Sequence, residues 1–180
     1  VYTQKKSKNT YRKKPYLLNL FFIGYLFGVG FFLSGIHWIS HSLTFDEIFK
    51  FLVPVAIIGL PIFLGLFFGL SNLIVGPFLK NNFTSIILFS SSFAFMDYVR
   101  AKILSGFPWN IWAYTWSWKP EILQSLFYIG FFSFNLLCII IYCSPLLLIF
   151  KKRINFFLFF IISLLFFGNY IYGSSIIKKK

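Results

Sequence analysis

The chain has 180 residues, of which 58% are hydrophobic and only 12% charged, and its mean hydropathy is +0.79. A soluble domain carries roughly 25% charged residues, so the bulk of this chain belongs in lipid. The net charge of +13, from 17 Lys/Arg against 4 acids, would suggest nucleic acid in a soluble protein. Here the basic residues cluster at the ends of apolar runs, where they set topology and meet anionic headgroups, and no nucleic-acid partner is expected.

The basic run from Lys5 to Lys14 leads into an apolar segment without a small-residue cleavage site. Residues 1–15 therefore read as a cytoplasmic tail and not a signal peptide. Five apolar segments follow, about 16–40, 49–79, 83–104, 121–150 and 154–177, each near or above the roughly 20 residues a helix needs to cross a bilayer. Runs such as "LLCIII" and "FFLFFIISLLFF" lack the alternation of a β-barrel, and backbone groups in lipid must be satisfied within the segment. The expected fold is all-α, a polytopic membrane helix bundle with a transmembrane domain over 16–177.

The first segment carries Gly24 and Gly28 and the second Gly65 and Gly69, small-xxx-small pairs that let helix backbones approach. Pro54 and Pro61 are expected to bend the second helix. His37 and His41 stand four apart, a spacing that can bind metal on a helix face, but no third ligand is evident and no metal is expected. The third segment ends with Asp97 and Arg100, three apart and able to share a face; the expectation is a structural ion pair at the helix end. Between the third and fourth segments lies "AKILSGFPWNIWAYTWSW", residues 101–118, with four of the five tryptophans. Gly106 and Pro108 give it a turn. Trp109, Trp112 and Trp116 follow at helix-like spacing, as one aromatic face lying in the membrane interface. Arg100, Lys102 and Lys119 can then contact lipid phosphates beside an aromatic slot for acyl chains. Composition alone leaves an aromatic belt and a substrate-facing loop equally open. The fourth segment holds Cys138 and Cys143, which point to different faces of a helix and have no nearby base; they read as core fillers.

Orientation follows from Lys/Arg in alternate loops. With the N-terminus in the cytoplasm, that side holds Lys5, Lys6, Lys8, Arg12, Lys13, Lys14, Lys80, Lys151, Lys152 and Arg153. The opposite side holds Lys50, Arg100, Lys102 and Lys119, plus the dissenting terminal triplet Lys178–Lys180. Five crossings then leave the C-terminus outside. Asp46, Glu47, Asp97 and Glu121 are the only acids and form no close pair suited to acid–base work. No serine sits in a nucleophile-elbow context. No complete catalytic site is expected, and no cofactor.

The run "DYVRAKILSGFPWNIWAY", residues 97–114, resembles the membrane part of bacterial apolipoprotein N-acyltransferase, with its E-x-x-R, spacer, G-F-P-W and Gly-Tyr. Asp97 stands for the family Glu, Arg100 matches, Gly106-Phe107-Pro108-Trp109 matches in full, and Ala113-Tyr114 replaces Gly-Tyr. "FGVGFFLSGIHWI" from Phe27 and, more weakly, "YIGFFSFNLL" near Gly130 are similar to further family stretches in the same order. The resemblance implies an inner-membrane enzyme moving an acyl chain from phospholipid to the amino group of a lipoprotein's diacylglyceryl-cysteine. It makes Trp109 important for activity, with Arg100 and Tyr114 as lipid-contacting neighbours and Gly106, Phe107 and Pro108 completing the motif. The family's Glu-Lys-Cys triad lies in a nitrilase-like periplasmic domain after the seventh helix, and the five helices here correspond to the third through seventh. The start at Val1 and the end at Lys180 read as those of an incomplete chain (a fragment, a split gene's first piece or a truncated relic), with 178–180 a truncated junction, and this chain alone is expected to be inactive. The rival reading is a non-enzymatic membrane protein, a transporter subunit or assembly partner; charges at helix ends and not at the midplane disfavour transport.

Overall fold

The computed structural model describes residues 13–103, 108–150 and 152–178, with side chains from Tyr16 onward. The tail before Lys13, Gly106, Phe107, Lys151 and the last two lysines lie outside the described residues. Among the described residues every regular element is helical. The longest are α1 (Lys13–Ile36), α2 (Leu60–Val75), α3 (Phe83–Ile103), α4 (Phe131–Cys143) and α5 (Arg153–Lys178). The chain divides into two compact units, Val1–Leu79 with Val99–Asn110, and Lys80–Tyr98 with Ile111–Lys180.

In the first unit α1 lies against α2, and small residues set the approach. A Cβ on Gly28 would stand 3.0 Å from Gly65 Cα, and one on Gly24 would stand 2.6 Å from the Phe68 carbonyl oxygen. Only residues without side chains allow backbones so close. Leu20, Phe32, Leu64 and Phe68 fill the rest of the seam, and the buried Asn72 Nδ2 donates to the Leu20 carbonyl at 2.7 Å. The second apolar segment does not keep α-helical geometry throughout. Asp46 caps a 3₁₀ turn at Glu47–Leu52 by accepting from Ile48 N, and Val55–Gly59 forms a π turn before α2 begins. Pro61, in the first turn of α2, has no N–H for an i−4 bond, and the wider turn precedes it.

In the second unit the 121–150 segment is likewise broken. Short helices at Pro120–Leu123 and Leu126–Ile129 precede α4, and Leu146–Ile149 follows it. Gly130 has φ 75°, a left-handed conformation that favours glycine, and Pro145 interrupts the ladder after Cys143. Ile111, Ala113, Ile122, Phe134 and Cys138 form the core. Helix α5 meets Pro120–Leu123 at Gly173, where a Cβ would fall 1.8 Å from the Glu121 carbonyl oxygen; Asn169 Nδ2 donates to the Ile122 carbonyl at 3.1 Å.

Among the described residues, four stretches are helical, long and apolar enough to cross a membrane: Tyr16–Ile36, Val55–Phe78, Phe131–Ile149 and Arg153–Lys178. Their outward faces expose residues such as Leu26, Ile58, Leu164 and Leu165, as a lipid-facing surface requires. The 21-residue α3 is long enough but carries Asp97, Arg100 and Lys102, which set it apart from these four.

Candidate functional site

The end of α3 places two ionisable side chains in two buried polar clusters. In the first unit, Arg100 is 0% exposed. Its Nη1 donates to the Trp109 carbonyl at 2.7 Å, and its guanidinium carbon lies 4.9 Å from the Phe32 ring centroid. A charge-assisted bond and an aromatic face replace the water that burial removes. The indole of Trp109, by contrast, is 45% exposed. It meets Trp38 edge-on, centroids 5.4 Å apart and planes at 73°; Trp38 is itself 47% exposed. Pro108 beside it is half-buried.

The next residue fixes the chain's direction. Asn110 has φ 55°, a left-handed conformation that Asn tolerates better than most residues. Its Nδ2 donates to the Phe31 carbonyl on α1 at 3.2 Å. Gly35 makes this possible, since a Cβ there would stand 2.0 Å from Asn110 Nδ2.

In the second unit, Asp97 is buried and its Oδ2 accepts from Asn135 Nδ2 on α4 at 2.9 Å. The other end of the same amide, Oδ1, accepts from the Ala113 backbone N–H at 3.1 Å. Asn135 is 0% exposed, so one side chain ties an acid on α3 to the segment after the Trp109 turn. Tyr114 is exposed on one side and packs on Phe131 at 5.3 Å.

Trp109, Trp112 and Trp116 are not carried by one helix, although their spacing would suggest it. Ile111 is extended, and a 3₁₀ turn runs only from Trp112 to Trp116, so helical spacing is not continued from Trp109. Trp112 and Trp116 pack against the second unit's core. Trp116 stacks on Tyr142 with planes at 4° and leans on Phe166. Thr115 hydrogen-bonds to Tyr142 and to the Trp112 carbonyl. Trp118 and Lys119 remain at the surface as a cation–π pair, 4.9 Å apart.

His37 Nδ1 lies 2.9 Å from the Ser34 carbonyl at the end of α1, and among the described residues no three His, Cys, Asp or Glu side chains gather as a metal site would require. Cys138 is buried in the core. The arrangement can hold an indole at a surface and fix the backbone behind it.

The family sequence model described as the apolipoprotein N-acyltransferase N-terminal domain matches residues 11–144. The chain belongs to this family. An apolipoprotein N-acyltransferase of Rhizobium etli is 35% identical over 128 residues, 71% of this chain and 24% of the relative. One of Brucella melitensis is 34% identical over 127 residues, 70% and 24%, and one of Rhodopseudomonas palustris 33% over 127 residues, 70% and 24%. The chain thus spans about a quarter of the length of the curated relatives it matches. No solved structure matches it.

The N-acyltransferase match takes in Phe32, Gly35, Trp38, Asp97, Arg100, Trp109, Asn110 and Asn135, and ends before α5. Trp38, Asn110 and Asn135 carry the geometry but are not singled out by the sequence reading. A polar residue inside "FFSFNLLCII" was the available signal for Asn135, because an amide in such a run must find a partner.

Proposed function

We propose that this chain is the membrane domain of an apolipoprotein N-acyltransferase in a bacterial inner membrane. It receives the phospholipid acyl donor and the diacylglyceryl-modified lipoprotein, and the bond-making groups are not among its own residues. The observation that carries this reading is the contrast at Trp109. Its indole is half-exposed beside Trp38, while its backbone is held by a fully buried arginine. An exposed aromatic whose main chain is fixed from behind suits recognition of an amphipathic ligand, with little side-chain freedom left to lose on binding. In this reading Trp109, with Trp38 and Pro108, faces the lipid substrates, Tyr114 is a separate lipid-contacting residue, Gly106 and Phe107 complete the sequence motif, and Arg100 acts as a positioning residue behind Trp109. Asp97, three residues earlier on α3, secures the helix end with it.

The chain crosses the membrane five times, from a cytoplasmic N-terminus to a periplasmic C-terminus. Support for the fifth crossing comes from α3: its 21 residues rise about 31 Å, and both Asp97 and Arg100 are buried with polar partners. That is how ionisable residues persist in membrane helices. The deciding test uses cells depleted of their native N-acyltransferase, supplied with a full-length enzyme bearing Trp109→Ala in this domain. Accumulation of lipoprotein lacking its N-acyl chain is expected; undiminished N-acylation overturns the substrate-facing role. A periplasm-active reporter fused after Lys180 is expected to be active, and a silent one contradicts five crossings.

A further inference from the structure

At the start of α5, far along the chain from the Trp109 turn, a cavity of about 230 Å³ is lined by Leu147, Leu148, Lys152, Arg153 and Phe156. It is smaller than the roughly 300 Å³ at which pockets for drug-sized ligands begin. Two cations stand on its rim, and none of the chain's four acidic residues lines it. Leu147 is buried, whereas Leu148 and Phe156 are exposed and belong to the spans Phe131–Ile149 and Arg153–Lys178. The notch therefore has a basic rim and apolar walls that continue along lipid-facing helices.

One further feature favours an anion there. The backbone N–H groups of Asn155 and Phe156 both turn to the Lys152 carbonyl, at 3.0 and 3.2 Å, so a 26-residue helix begins at the notch with its positive end there. Cations and a helix start are complementary to a phosphate, and the apolar walls are complementary to the acyl chains attached to one.

We propose that this notch binds the headgroup phosphate of an anionic phospholipid, held by Lys152 and Arg153, with the acyl chains lying along Leu148 and Phe156. This is a structural lipid site in the second unit, and it stands or falls independently of the substrate-facing role of Trp109. The test is native mass spectrometry of the full chain released from bilayers containing equal phosphatidylglycerol and phosphatidylcholine. The unmodified chain is expected to retain one phosphatidylglycerol. The double variant Lys152→Gln/Arg153→Gln is expected to bind it roughly thirtyfold more weakly, about fivefold for each basic residue lost near an anionic headgroup. The charge-conserving Lys152→Arg/Arg153→Lys keeps it, and so does Lys13→Gln/Lys14→Gln, which makes the same charge change in the first unit. Equal retention by the Lys152→Gln/Arg153→Gln chain, with its helical circular dichroism intact, overturns the site. Equal loss from the Lys13→Gln/Lys14→Gln chain also overturns it, because general charge would then suffice. Excess inorganic phosphate should leave the adduct in place; displacement by it would assign the notch to free phosphate and overturn the lipid assignment.

Discussion

The guanidinium of Arg100 donates to the carbonyl of Trp109 across 2.7 Å while stacked 4.9 Å from the Phe32 ring. Lysine keeps the charge but has neither the planar fork nor the stacking face. In the full-length enzyme, Arg100→Lys is therefore expected to loosen the Trp109 turn and raise KM for the lipid substrates several-fold with a smaller effect on kcat, since the interaction lost is ground-state positioning. Steady-state kinetics in mixed micelles check this. A fall in kcat at unchanged KM would instead place Arg100 at the chemical step.

Asn135 satisfies Asp97 with one end of its amide and the Ala113 N–H with the other. Asn135→Leu preserves volume but deprives two buried groups of this partner, at about 1–3 kcal/mol each. A loss of about 2–5 kcal/mol is expected in denaturant titrations of the chain in detergent. Adding Asp97→Leu to Asn135→Leu should recover part of that loss, because one of the deprived groups is then gone. Strict additivity of the two substitutions would show that the bond contributes nothing.

Hydropathy made the apolar segments and the all-helical class legible, because a backbone in lipid has few other ways to pair its N–H and C=O groups. It did not reveal where those segments break. The 121–150 run averages as one apolar segment, yet Gly130 turns to positive φ and Pro145 follows the end of α4, and neither event shows in a hydropathy average. The Gly-Phe-Pro-Trp block stands close in sequence to Arg100, whose Nη1 reaches the Trp109 carbonyl. The helix-like spacing of Trp109, Trp112 and Trp116 is not carried by one helix, because Asn110 takes φ 55° between the first and the second. Asn135 was hidden for a related reason: its partners are 38 and 22 residues away, beyond any local pattern.

The Asn110 contact gives a paired expectation. Gly35→Ala would place a methyl 2.0 Å from Asn110 Nδ2, so the amide must leave the Phe31 carbonyl. Asn110→Gly keeps the backbone conformation and loses only the hydrogen bond, worth about 1 kcal/mol. Gly35→Ala should cost more, about 1–3 kcal/mol, although alanine favours a helix over glycine. Thermal unfolding of both variants in detergent checks the order. A Gly35→Ala chain more stable than the Asn110→Gly chain would mean that the turn does not seat on α1.

Two glycines on α1, one position either side of Val29, separate packing from intrinsic helix preference. A Cβ on Gly28 would lie 2.9 Å from Phe68 Cβ, 3.0 Å from Gly65 Cα and 3.1 Å from the Gly65 carbonyl oxygen. Two of those atoms are backbone and cannot rotate away, so α2 itself must move. On Gly30 a Cβ would meet nothing within 4 Å. Alanine is better than glycine in a helix by up to about 1 kcal/mol, so Gly30→Ala should be neutral or stabilising. Gly28→Ala sets that same gain against overpacking of about 1–3 kcal/mol, and Gly28→Ile adds three more carbon atoms that have no space at the seam. The expected order of unfolding midpoints is Gly30→Ala, then the unmodified chain, then Gly28→Ala, then Gly28→Ile. If Gly28→Ile unfolds with Gly30→Ala, the α1–α2 seam does not run through Gly28 and Gly65, and the small-residue pairs would be incidental to packing.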